Sequence, residues 1–195
     1  MSKISFDKKT LLYPIPIVIV GVQVEGKANF VTVGDVAVLG LQNPSLMCIS
    51  LNENHHSTKG IHKNQTFSIN VPGQNILAET DYCGVRSGKD VDKARLFKVF
   101  YKNNDTIPMI EECPVNIMCK VVETVCIKHR TIFIAEVIET FVSEHFVEEK
   151  DGKKVVLPIN KLEPICYALD NKYYKVGEAV GTGYSEFKKI EEKSI

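Results

Sequence analysis

The chain has 195 residues, 44% of them hydrophobic and 25% charged, and its formal net charge is zero. That balance excludes a disordered chain and a basic nucleic-acid-binding footprint, and the length predicts one domain over residues 1–195 with a core that needs neither disulfides nor metals. The first apolar run follows two lysines but is broken by Tyr13-Pro14-Ile15-Pro16 and is too short to span a bilayer, so no signal or membrane segment is expected and the predicted location is cytoplasmic.

In chain order, IVIVGVQVEGKANFVTV (residues 17–33) reads as two β-branched strands joined by a hairpin turn at Gly26-Lys27. SLMCISLN (45–52), entered by Asn43-Pro44, predicts a third strand, and QTFSINV (65–71), closed by Pro72-Gly73, a fourth. Between them HHSTKGIHKN (55–64) predicts a short helix capped by Ser57 or Thr58. QNILAETDY (74–82) predicts a second helix. The polar loop TDYCGVRSGKDVDK (80–93) overlaps its end, and VDKARLFKVFY (91–101) has apolar residues at helical spacing. PVNIMCKVVETVCIK (114–128) and RTIFIAEVIETFVSEHFV (130–147) read as long strands, Asp151-Gly152 marks another hairpin, and the tail after about residue 185 reads as frayed. Many strands, few short helices and no alternation of strand and helix predict a mainly β antiparallel barrel, not a doubly wound sheet.

Six cysteines, at positions 48, 83, 113, 119, 126 and 166, include no CxxC and no close Cys/His couple, so no metal site is expected and the thiols should be reduced. GVRSGKD (84–90) fails as a phosphate-binding Walker loop: its glycines are one residue too close, and Asp90 stands where Ser or Thr should follow the lysine. GEAVGTG (177–183) has the wrong glycine order for a dinucleotide fingerprint, and no GxSxG elbow exists. A Cys/His nucleophile pair has no supporting signature. A different constellation stands out at strand ends and a helix start: Asn29 and Thr32, Ser50 and Asn52, then His56, Ser57, Thr58 and Lys59. Free helix N–H groups, hydroxyls and a lysine suit a phosphomonoester. The same residues also suit a bland role, with hydroxyls capping a helix and Lys59 solvated.

Five pieces, YPIPIVIVGVQVEGKANFVTV, NPSLMCISLNENHHSTKGIHKNQTFSINVP, TDYCGVRSGKDVDKARLF, PMIEECPVNIMCKVVE and TIFIAEV, run in order over residues 13–137, and LEPICYALDNKYYKVGEAVG follows. In that series the chain resembles the flavin reductase-like, flavoredoxin-type family of FMN-binding split barrels. The resemblance implies a six-stranded antiparallel split barrel that forms a homodimer with FMN near the subunit interface. It implies a flavin lined by the stretch Asn29, Val31, Thr32 and Val33 and by Ser50, Leu51 and Asn52, with His56, Ser57, Thr58 and Lys59 at its phosphate. Cys83, Gly84, Ser87 and Lys93 would close over the cofactor, with Cys83 in contact and not in thiol redox chemistry. The implied activity is an oxidoreductase that passes electrons from NAD(P)H or another donor through FMN to free flavin, a ferric complex or a redox protein, with no named catalytic acid or base. Alternatives are a flavoredoxin-type electron carrier with little NAD(P)H turnover and a non-enzymatic FMN-binding module. Three positions depart from the family pattern: Gly34-Asp35 replaces an aromatic residue, Arg130 replaces a histidine with His129 one step earlier, and Ala135 replaces a glycine.

Overall fold

Glu25 and Gly26 carry the left-handed backbone (φ 53° and 80°) of a two-residue hairpin loop, so the chain reverses one residue earlier than the sequence predicts. The structure is a computed structural model that describes residues 1–191. A short strand β1 (Ile15–Pro16) precedes the hairpin strands β2 (Val18–Val24) and β3 (Lys27–Val33), which pair from Val18 opposite Val33 to Val24 opposite Lys27. Next come β4 (Val36–Gly40), β5 (Leu46–Asn52), helix α1 (His56–Asn64) and β6 (Thr66–Val71). A 3-10 turn at Gln74–Ile76 leads into α2 (Leu77–Val85), a second lies at Lys93–Leu96, and the strands β7 (Val99–Phe100), β8 (Met109–Ile110), β9 (Val115–Ile127) and β10 (Arg130–Val142) follow. The chain continues through β11 (Val147–Lys150), β12 (Lys153–Val156), α3 (Ile159–Leu162), β13 (Ile165–Ala168), β14 (Lys172–Lys175) and α4 (Lys188–Glu191).

Seven strands, in the order β3-β2-β6-β9-β10-β5-β4, form the main antiparallel sheet. The expectation of six strands misses β4, which reads poorly as a strand because its residues are mostly exposed and it pairs only along β5. The sheet curls so that the link from β3 to β4 touches β5, where Ser50 N donates to Asp35 O at 2.8 Å. Inside lies a core of Val18, Val20, Ile49, Phe67, Ile69 and Phe133, joined by Ile61 from α1. Gly60 lets α1 lie directly on β2: a Cβ there would stand 2.5 Å from Gln23 O. Smaller sheets, β1-β13-β14, β7-β8 and β11-β12, complete the fold, and the last has Asp151-Gly152 at its turn as predicted.

Three local expectations need correction. Residues 80–85 belong to α2 and are not loop, because Thr80 and Cys83 bury against the sheet. The VDKARLF segment is only a 3-10 turn: Asp92 accepts from Ala94 N at 3.1 Å, and Phe97 leaves the turn to pack edge-on against Phe30 at 5.4 Å. The α1 cap is His55, which makes no side-chain capping bond, while Ser57 and Thr58 lie buried inside the first turn. The predicted frayed tail reaches beyond the described residues, within which 188–191 are helical. No described helix is long and apolar enough to cross a membrane. All six cysteines are free.

The opposite face of the sheet mixes apolar side chains with polar ones. Across β5, β10 and β9, Cys48 sits beside Ile134, Ile132 beside Val125, and Arg130 beside Ile127, with Val125 and Ile127 exposed. On neighbouring β4, Val38 and Leu39 are exposed too.

Candidate functional site

Three pieces of chain meet at the start of α1: the middle of β3, the first turn of α1 and the segment from Cys83 to Lys93. Asn29 lies within β3, buried, and donates from Nδ2 to Ser57 Oγ at 2.7 Å. That bond fills an acceptor position on Ser57 and leaves its O–H as a donor. Gly88 stacks on the other end of the same amide, so close that a Cβ at 88 would sit inside Asn29 Oδ1. The glycine is required here by contact, not by backbone angle.

Lys93 is 3% exposed and donates from Nζ to Cys83 O at 2.8 Å. An ammonium has three donors, and no second acceptor for Lys93 is recorded among the described residues. Burial lowers its pKa, with partial compensation from Cys83. On the facing wall, His56 Nδ1 is buried without a hydrogen-bond partner. Burial holds the His56 pKa below its ordinary value, opposed by Glu25 and reinforced by Lys59, Lys89 and Lys93. His55 is lowered too, first by burial and then by Arg130 and Lys93. Buried polar groups without partners cost free energy, and here they are an imidazole nitrogen and the remaining donors of an ammonium.

The space between these groups is a cleft of about 170 Å³ whose walls include Asn29, Val31, His56, Ser57, Cys83, Gly84, Ser87 and Lys93. Most sequence-predicted residues therefore converge. Lys59 lines an adjoining cleft of about 540 Å³ together with His56, Gly88 and Lys93. Others are committed elsewhere: Thr58 Oγ1 donates to Asn52 O at 2.8 Å, Asn52 Oδ1 accepts from Asn54 N at 2.9 Å, and Thr32 Oγ1 donates to Thr80 O. Val33 and Leu51 point into the core. Cys83 is buried with its thiol pushed up to about 11 by desolvation, so it is a packing residue and no thiolate nucleophile. Asn54, His55 and Arg86 also line the small cleft, and the sequence reading missed them. For His55 the signal was the adjacent histidine pair.

Gly84 and Val85 are shared with a larger groove of about 1090 Å³ that runs along Ile15, Ile17, Gly34 and Asp35. Its charged groups are acidic, Asp35, Glu79 and Asp81, beside neutral amides and tyrosines, and no Lys or Arg lines it among the described residues. Tyr173 OH donates to Asp81 Oδ1 at 2.8 Å and packs edge-on against Tyr167 at 5.4 Å. Burial and that carboxylate push the Tyr173 hydroxyl up to about 12. At the groove's edge Asp35 pairs with Arg130, which also donates from Nε to Ser50 Oγ at 3.0 Å and from Nη2 to Ser50 O at 2.7 Å. Two of the departures from the family pattern thus form one ion pair. Among the described residues no cluster of His, Cys, Asp and Glu is arranged to hold a metal ion.

The profile of the family described as "Flavin reductase like domain" matches residues 10–171. A flavoredoxin from Methanosarcina acetivorans is similar over 97% of this chain and 100% of its own, at 35% identity with a TM-score of 0.89. A flavoredoxin of Desulfovibrio vulgaris (Miyazaki F) is similar over 95% and 99%, at 27% identity with a TM-score of 0.82. The fold is shared with an FMN-binding protein from Thermus thermophilus with bound 1-cyclohex-2-enone, at 19% identity over 93% and 97% and a TM-score of 0.75. The six-piece series and the curled antiparallel sheet agree with these likenesses, and the chain belongs to the flavin reductase-like domain family.

Proposed function

We propose that the protein is a single-domain FMN-binding oxidoreductase. The observation that carries this reading is the set of polar groups with unused hydrogen-bonding capacity at the start of α1: the partnerless His56 Nδ1, the buried Lys93 with one acceptor for three donors, and the Ser57 hydroxyl, which accepts from Asn29, all around one cleft. They fit the anionic end of FMN, and the family membership and the FMN-binding neighbour support that ligand over a simpler phosphate. In this reading Lys93, Ser57 and His56 hold the phosphate, and Gly84, Gly88 and Ser87 let the chain approach the rest of the cofactor. Bound there, FMN would supply the electron-transfer chemistry, while the protein contributes orientation and electrostatics. We assign the electrons to NAD(P)H or another reduced donor, and their delivery to free flavin, a ferric complex or a redox protein.

A second reading, a flavoredoxin-type carrier, is favoured by the acidic groove. NADH and NADPH carry a negative pyrophosphate, and the groove beside the cleft presents Glu79, Asp81 and an Asp35 already paired with Arg130, with no Lys or Arg in its lining among the described residues. The exposed apolar side chains Val125 and Ile127 of β9 and Val38 and Leu39 of β4 support a homodimer, because a second copy would cover them. A visible spectrum of the purified protein with and without added FMN tests the cofactor. Rapid-mixing reduction of the FMN-loaded protein by NADH and NADPH then separates the readings: fast bleaching supports the reductase, and slow bleaching with ready chemical reduction supports the carrier. The solution mass tests the dimer, and a monomer at micromolar concentration rejects it.

A further inference from the structure

Ser50 is held at three atoms by two residues. Its N–H donates to Asp35 O at 2.8 Å, its carbonyl accepts from Arg130 Nη2 at 2.7 Å, and its hydroxyl accepts from Arg130 Nε at 3.0 Å. The guanidinium also pairs with the Asp35 carboxylate, joining β10 to the β3–β4 link across β5. Asp35 lines the acidic groove, while the charge of Arg130 reaches the cleft wall, where it helps to lower the pKa of His55. A planar guanidinium with several fixed donors holds such a geometry in a way that a lysine does not.

We propose that Arg130 and Asp35 are paired positioning residues of the flavin site, whose opposed charges set how strongly the protein prefers reduced over oxidised FMN. The inference rests on the FMN reading. A ligand anchored in the cleft and reaching into the groove meets Asp35 on the groove wall, with the Arg130 guanidinium paired to that carboxylate. Reduction adds negative charge to the ring, so a nearby cation favours the reduced form and a nearby carboxylate favours the oxidised one. Arg130 therefore acts in one direction and Asp35 tempers it. The side chains are 32% and 66% exposed, so each contribution is screened but not abolished.

The test measures, for the FMN-loaded protein and four variants, the dissociation constant of oxidised FMN and the midpoint potential. Asp35→Asn leaves the guanidinium uncompensated and should raise the ratio of reduced to oxidised affinity by about 5–10-fold; a tenfold change equals about 30 mV for a two-electron couple. Arg130→Gln should lower the ratio by a similar factor, and the double variant should return close to the parent. Arg130→Lys keeps the charge and should hold most of the parental ratio. A purely structural pair would weaken both forms alike, so shifts of the same sign in Asp35→Asn and Arg130→Gln, or no shift in either, overturn the proposal. Failure of the unsubstituted protein to bind FMN defeats the functional reading itself and is seen before any variant is made. Asp35→Asn is a substitution at an exposed side chain, so the sign of its shift remains readable even if Arg130→Gln proves unstable.

Discussion

The small cleft and the large groove are neighbours with opposite chemistry. The cleft is tight and lined by His55, His56 and a buried Lys93 that has one acceptor for its three donors. The groove is wide and acidic, walled by tyrosines and two isoleucines. In the proposed reading one grips an anion and the other admits something that is not an anion. On that reading binding energy belongs to the cleft and selectivity to the groove, and changes on each side should separate these roles.

The largest effect is expected at Gly88. A side chain there must displace the Asn29 amide, which in turn orients Ser57. Gly88→Val should weaken FMN binding at least ~100-fold, while the loop absorbs part of the overpacking so that stability falls by only about 1–3 kcal/mol. Fluorescence titration and thermal unfolding of the same sample check both halves. Unchanged affinity would remove Asn29 and Ser57 from the binding site.

Next in size is Lys93→Met. A charge-assisted hydrogen bond is worth about 1.5–3 kcal/mol, so FMN affinity should fall by roughly 10–100-fold. Folding should not suffer in parallel. Lys93 has a lowered pKa in the folded state because burial disfavours its charge, so the apo protein holds it at a cost that methionine removes. Weaker FMN binding with equal or higher apo stability is the signature of a lysine kept for a ligand. A parallel loss of both would make it a structural residue.

How much of this was legible beforehand follows from distance along the chain. The hairpin of β2 and β3 was readable because β-branched residues flank Glu25-Gly26, and the paired long strands β9 and β10 were equally plain. Local pattern failed at VDKARLF, where Asp92 capping and the burial of Phe97 against Phe30 override helical spacing. It failed also at β4, whose short, mostly exposed strand has no buried face to mark it. The family resemblance named most cleft residues, yet the bonds that make the site lie between distant positions. Asn29 meets Ser57, Lys93 meets Cys83 O, and Arg130 meets Asp35 across 95 positions. No periodicity encodes such pairs; only the closure of the sheet creates them.

A smaller effect is predicted for pH, and it should appear only at the cleft. His55 and His56 titrate below their ordinary value in the folded apo protein, so the unfolded state binds more protons below about pH 6.5, and apo stability should decline as pH falls through that region. A bound phosphate reverses the preference by favouring the imidazolium. FMN affinity should therefore rise about 2–5-fold from pH 8 to 6.5, above the second phosphate pKa near 6. Riboflavin, which lacks the phosphate, should show no such rise, and equal pH profiles for the two ligands would place the phosphate away from both histidines.

The smallest effect belongs to the groove, and it discriminates most finely between reductase and carrier. Asp81 and Glu79 do not touch the cleft, so Asp81→Asn and Glu79→Gln should leave FMN affinity within about twofold. Each removes a negative charge from the path of an anionic donor. The second-order rate of reduction by NADPH should then rise about 2–5-fold at low ionic strength and converge on the parental rate at high salt, as expected for screened steering. Asp81→Asn also takes the charge from the Tyr173 hydrogen bond, so its hydroxyl should titrate closer to the ordinary tyrosine range. If the rate is indifferent to both substitutions and to salt, nicotinamide dinucleotides do not enter by this groove, and its acidic wall is left to face a cationic surface on a redox partner.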